Sequence, residues 1–216
     1  CVSAHWLTNG TKVTAMGMPP TIHDFGGFPQ ALFDVQYPAP GSPELAMEAQ
    51  KLLAPTHVDL DDAWGLDHGT WSVLKHFYPD ADIPVLQMSM PTSDPGKLIE
   101  LGKRLRPLRD EGVLIIGSGF MTHGLPFLRD WSIDAKAPTW SSDFDQWAAD
   151  AISRGDVDML ASYKDLAPAV NYAHPTVEHF TPLFVTLGAA SEPDAIPETL
   201  IEGFWMGLSK RSLLVA

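Results

Sequence analysis

The sequence predicts a single-domain α/β protein over residues 1–216, with helices on both faces of a mixed, largely parallel sheet in a three-layer α/β/α arrangement. Three observations predict it. Short apolar runs alternate with amphipathic stretches, the pattern of strands followed by covering helices. Three of those runs, Cys1–His5, Pro84–Met90 and Val113–Ser118, are apolar on both faces and then turn polar, as strands buried between helix layers do. The 216 residues suffice for one sizeable core and are short for two.

The elements follow in order. Cys1–His5 reads as the second half of a buried strand ending in a polar site, and a segment is expected to precede it. Met18–Gly27 and Tyr37–Pro43 are loops rich in proline and glycine. Ser42-Pro43-Glu44 then opens a helix: serine caps it, proline fits the first turn, and glutamate lies near the positive end of the helix dipole. Leu45, Ala49, Leu52 and Leu53 share its inner face. A helix over Trp71–Tyr78 turns Trp71, Leu74, Phe77 and Tyr78 inward, leaving His76 on the polar side. Another opens at Ser93 and buries Leu98, Leu101 and Leu105.

The strongest periodicity begins at Ser142. Phe144, Trp147, Ala148, Ala151 and Ile152 repeat at i, i+3, i+4, i+7 and i+8, and Gly155 closes the helix. A further helix covers part of Glu178–Leu187, with Thr181 before Pro182 as an alternative start. Thr199–Val215, interrupted by Gly203 and Gly207, is expected to supply two short strands that complete the sheet.

Charge narrows the function classes. Lys and Arg total 14 against 27 Asp and Glu, a net charge of −13. A surface this acidic repels phosphate backbones and anionic headgroups, so neither nucleic acid nor membrane is an expected partner. One cysteine, Cys1, excludes an internal disulfide and a Cys-rich zinc site and suits a reducing cytoplasm. No run approaches the roughly 20 apolar residues that cross a bilayer. There is no glycine-rich phosphate loop and no G-x-S-x-G nucleophile elbow.

Histidine carries the chemical signal. Ligands in open α/β sheets bind beyond the carboxyl ends of strands. His5 follows the first strand directly, and His123 follows Val113–Ser118 after a short turn. His23 sits before Gly26-Gly27, where backbone can approach a ligand closely; its alternative is a loop histidine bonded to Asp24. His68 either starts the following helix or points into a pocket. His57, among Asp59, Asp61 and Asp62, is a solvated residue. His174 and His179 are five apart, which does not place both on one helix face for one ion.

With these residues in view, the chain resembles the class III extradiol ring-cleavage dioxygenases, in the 4,5-DOPA-dioxygenase-like branch related to LigB. The resemblance runs over essentially the whole sequence. It rests on Ser3-Ala4-His5-Trp6, on Thr21-Ile22-His23-Asp24-Phe25-Gly26-Gly27-Phe28-Pro29 with Tyr37-Pro38-Ala39-Pro40-Gly41, and on Trp64-Gly65-Leu66-Asp67-His68-Gly69. Gly117-Ser118-Gly119 leading to His123, and Glu178-His179-Phe180 followed by Pro182-Leu183, complete it.

The resemblance implies His5 and His179 as metal ligands, His123 as acid–base catalyst, and His23 and His68 as pocket residues that meet substrate. A further ligand is expected upstream of Cys1. Glu178 stands beside His179 as an alternative ligand, and His174 is assigned no role. The implied reaction opens a catechol-type ring with O2 at Fe(II), whose free coordination positions admit both substrates. Zn(II) is the other candidate ion, because catalytic zinc also takes three histidines. The implied partners are thus a small catechol-type molecule and O2, with the chain as monomer or homodimer. Zinc-dependent hydrolysis at the same histidines and a non-catalytic metal- or aromatic-binding subunit are the competing readings.

Overall fold

The computed structural model describes residues 1–216. Strands β1 (Val2–Leu7), β2 (Thr11–Thr14), β3 (Val58–Asp61), β4 (Met88–Met90) and β5 (Gly117–Ser118) form a sheet in the order β3-β2-β4-β1-β5. β1 is parallel to β4 and β5, β2 is parallel to β3, and β2 meets β4 antiparallel. The sheet is therefore mixed and largely parallel, as the alternating pattern predicts.

Helices α1 (Gln30–Phe33), α2 (Pro43–Leu52), α3 (His68–Phe77), α4 (Pro95–Leu105) and α5 (Pro107–Asp110) lie in the first half of the chain. α6 (Thr139–Ser153), α7 (Val157–Ala161), α8 (Tyr163–Leu166), α9 (Val170–Ala173) and α10 (Pro182–Gly188) lie in the second. Side chains on a strand alternate between faces. Val2 accordingly joins the larger core with α2, α4, α6 and α10, while Ser3 and His5 face Gly69 of α3. A smaller cluster around Tyr37, Leu66, Trp71 and Leu74 covers the α3 side. Each large apolar side chain fully buried in these clusters, such as Phe144 or Phe184, contributes on the order of 2–3 kcal/mol.

The helix starts follow local chemistry. Ser42 Oγ accepts the Leu45 amide at 3.2 Å, so α2 opens where the Ser-Pro-Glu signal places it. Asp94, one residue beyond the expected Ser93, caps α4 by accepting from Lys97 N–H, and Leu98, Leu101 and Leu105 are buried as predicted. α6 buries Phe144, Trp147, Ala148, Ala151 and Ile152 but begins earlier, at Thr139, because Pro138 fixes an extended backbone just before it. α3 likewise starts at His68 rather than Trp71, because the Asp67 carboxylate caps it through Thr70 N–H. Phe77, expected inside, is 65% exposed as the last residue of α3.

Three expectations need correction. Of Pro84–Met90 and Val113–Ser118, only Met88–Met90 and Gly117–Ser118 pair as strands; the residues before them are mostly apolar without the full burial of an inner strand, and Leu114 is 58% exposed. β2 and β3 come from polar-rich segments with no continuous apolar run. The C-terminal stretch does not complete the main sheet. It forms two separate hairpin sheets, β6 (Glu198–Ile201) with β9 (Ser212–Leu214) and β7 (Phe204–Trp205) with β8 (Leu208–Ser209), with Gly203 and Gly207 at positive φ in the turns.

Candidate metal centre

Four stretches of chain converge beyond the sheet. His5 lies on β1, His68 is the first residue of α3, His123 follows β5, and His179 precedes α10. The His5 ring is 3.9 Å from His68 and 5.0 Å from His179, measured between centroids. His123 stacks on His179. Two carboxylates complete the cluster, giving two adjoining donor groups: His5, Asp24 and His68, and His123, Glu178 and His179. Within each, the ligand atoms lie within 4.8 Å of one another.

The fold sets these positions by close backbone approach. Gly69 lies so near β1 that a Cβ there would run into Ser3 Oγ and come 3.0 Å from His5 Cδ2. The start of α3 is fixed by Gln87, whose amide donates to the Asp67 carboxylate while its Oε1 accepts Asp67 N–H at 3.0 Å and Thr70 Oγ at 2.8 Å. Gly119 plays the corresponding part after β5: a Cβ would collide with the His179 carbonyl, to which Phe120 N–H donates at 2.8 Å.

The carboxylates orient the rings. Asp24 Oδ1 accepts both the backbone amide of His68 at 2.9 Å and its Nδ1–H at 2.8 Å, and Oδ2 is 3.7 Å from His5 Nδ1. Burial pushes the Asp24 carboxyl up, but the hydrogen bonds from His68 outweigh it and hold the pKa below the ordinary value. Glu178 Oε1 accepts His179 Nδ1–H at 3.2 Å, leaving Nε2 of His179 available to a metal.

The donor set fits a transition-metal ion. Burial, with further repulsion between neighbouring rings, lowers the pKa of His5, of His123 to about 4 and of His179 to about 2. Neutral imidazole is the form that ligates, so these rings present lone pairs near pH 7 without a proton to displace. Borderline nitrogen donors with nearby carboxylates suit Fe(II) or Zn(II) better than magnesium or calcium.

His23 is placed apart. Its Nε2–H donates to Val35 C=O at 2.8 Å, and its ring lies among Phe25, Phe33 and Trp71. Phe25 stands between it and the cluster, edge-on to His68 at 5.3 Å. The expected alternative bond from His23 to Asp24 is replaced by the bond from His68. His57 is solvated and bonded to Asp59, as its surroundings suggest. His174 is buried and donates from Nε2 to Met121 C=O at 2.9 Å. Sequence reasoning missed Asp24 as an orienting group, and the only available signal was its place beside His23 in an unusual loop.

Comparison with known proteins gives a consistent family. Residues 1–204 match the family described as the catalytic LigB subunit of aromatic ring-opening dioxygenase. The chain is 48% identical over 213 residues to a protein named 4,5-DOPA dioxygenase extradiol from Escherichia coli (strain K12), covering 95% of this chain and 77% of that one. It is 44% identical to a protein of the same name from Beta vulgaris, with the same coverage. The crystal structure of an uncharacterized protein from Escherichia coli K12 superposes with a TM-score of 0.83 at 39% identity, over all of this chain and 84% of that one.

Proposed function

The chain belongs to the LigB family of aromatic ring-opening dioxygenases and is an extradiol oxidoreductase; from that premise we propose that its histidine cluster works on a catechol-type substrate with O2. The observation that carries the residue assignment is the convergence of His5, His68, His123 and His179 from four separate elements. His5 and His179 would hold the metal, with the 5.0 Å between their rings supporting a shared ion. Fe(II) is the ion we assign for activity, with Zn(II) as the competing occupant. When bound, the metal would bring catechol and O2 together and pass electron density between them.

The chain's own groups do the rest. His123, neutral near pH 7 because partial burial lowers its pKa, takes a proton from a catechol hydroxyl and returns one as the O–O bond breaks and the ring opens beside its two hydroxyls. Asp24 fixes His68 with Nδ1 as the donor, so Nε2 faces outward as an acceptor for a substrate hydroxyl. Phe25, backed by His23, offers an aromatic wall next to His68. Phe120 stands beside His123 on the other side.

Anaerobic loading with Fe(II), followed by oxygen uptake with a panel of catechols, tests the assignment. We expect uptake that depends on both iron and catechol and a ring-opened product absorbing in the visible. Turnover that persists without oxygen would instead identify hydrolysis at a zinc-loaded cluster. The working compartment we infer is the cytoplasm, consistent with the acidic composition and the single thiol.

A further inference from the structure

His123 has no hydrogen bond from its own ring to the protein; its aim depends on its backbone and on the stack with His179. The segment is held at three successive residues by three different partners, through the backbone at Met121 and His123 and through the side chain at Thr122. Met121 C=O accepts from buried His174, the His123 amide donates to Ala173 C=O at 2.7 Å, and between them Thr122 Oγ1 accepts Ser209 N–H at 2.8 Å. Thr122 Oγ1 also shares a 2.8 Å hydrogen bond with Ser141 Oγ of α6.

Behind Thr122 stands a buried ion pair. Asp145, one turn after Ser141 on α6, accepts from Arg211 Nε at 2.9 Å through Oδ1 and from Nη2 at 2.8 Å through Oδ2. Its Oδ1 also accepts Ser209 Oγ at 2.5 Å. Thr122, Ser141 and Ser209 have no solvent exposure, so water does not compete for these bonds. A buried ion pair seldom adds net stability over an apolar replacement, and its best-attested use is to select one arrangement.

We propose that Thr122 is a positioning residue for His123, and that Asp145 and Arg211 hold it in register through Ser209. This rests on the reading of His123 as the proton carrier. Misplacement of a reacting group by about 1 Å costs on the order of a hundredfold in rate, so a loosened Thr122 should act on turnover. The C-terminal hairpin thereby becomes part of the catalytic apparatus without touching the substrate.

A double-mutant cycle on the full chain tests this. Thr122→Val should lower kcat roughly tenfold or more, with KM and bound metal near wild type, and Thr122→Ser should restore it. In a His123→Ala background, Thr122→Val should cause no further loss. In the metal-free protein, the imidazole 15N signals of His123 should move in Thr122→Val and return in Thr122→Ser. Asp145→Asn, which keeps the side-chain shape, carries the same cycle if Thr122→Val does not fold. Equal losses with and without His123, or unmoved His123 signals, would overturn the positioning role while leaving His123 as the base. Full turnover by His123→Ala alone would instead overturn the assignment of His123.

Discussion

The imidazole planes of His123 and His179 lie 11° from parallel with centroids 3.4 Å apart. Two rings in such contact divide their tasks by what surrounds them. Glu178 engages Nδ1 of His179, which under the proposed assignment leaves that ring to the metal, whereas the His123 ring accepts and donates no hydrogen bond within the protein and under the same proposal exchanges a proton.

That division predicts opposite phenotypes. His179→Ala and His5→Ala should each lose bound metal, read as metal per chain by elemental analysis, and activity with it. His123→Ala should keep its metal and bind catechol anaerobically, yet turn over roughly 100-fold more slowly or worse. Metal loss in His123→Ala matching that in His179→Ala would make His123 a ligand and overturn its assignment as the proton carrier.

Asp24 holds His68 by two hydrogen bonds and approaches His5. Asp24→Asn keeps the size but removes the charge that favours this arrangement. Partners that orient active-site imidazoles are typically worth 10–100-fold, so kcat/KM should fall by about that range with an unchanged circular dichroism spectrum. A variant within twofold of wild type would show that the loop carrying Asp24 is merely structural.

Gly119 is in contact with the His179 carbonyl, and any Cβ there must displace it. Gly119→Ala should destabilise the fold by roughly 1–3 kcal/mol and, under the proposed assignment of His179 to the metal, weaken metal binding as well, because the displaced backbone is that of His179. Calorimetry and metal titration measure the two effects separately. A lowered melting temperature with normal metal affinity would mean that the strain is absorbed on the Phe120 side.

His174 predicts a pH dependence. Burial lowers its pKa from 6.5 to about 4, against the opposing hydrogen bond to Met121. Above pH 6.5 both folded and unfolded chains carry it neutral, and its contribution is fully present. As pH falls toward 4 the unfolded chain takes up a proton that the folded chain refuses, so stability is lost across that window. His174→Gln should remove one proton from the linkage, flattening the urea-derived stability curve between pH 6.5 and 4 by up to about 1.4 kcal/mol per pH unit.

How much of this was legible depends on whether the cause was local. The capping of α2 by Ser42 and the inner face of α6 follow from neighbours within a few residues, and sequence shows them, whereas β1 runs on to Leu7, two residues past the end that sequence places at His5. β2 and β3 escaped because Thr11–Thr14 and Val58–Asp61 are short and rich in polar residues, and only their pairing makes them strands. The segments before β4 and β5 look like strands in sequence because an apolar composition does not tell a coil from a ladder-paired strand, and Val113–Ile116 lie only partly buried or exposed. Asp24 reaches His68 across 44 residues, and Arg211 reaches Asp145 across 66; no periodicity encodes such contacts.

The four imidazoles come from positions 5, 68, 123 and 179, so no contiguous fragment much shorter than the chain contains the whole cluster. Neither half of a proteolytic cut between His68 and His123 would retain function alone, and reassociation of the halves should bring it back. Enzymatic turnover is thus a reporter of cooperative assembly, suited to following complementation between split pieces.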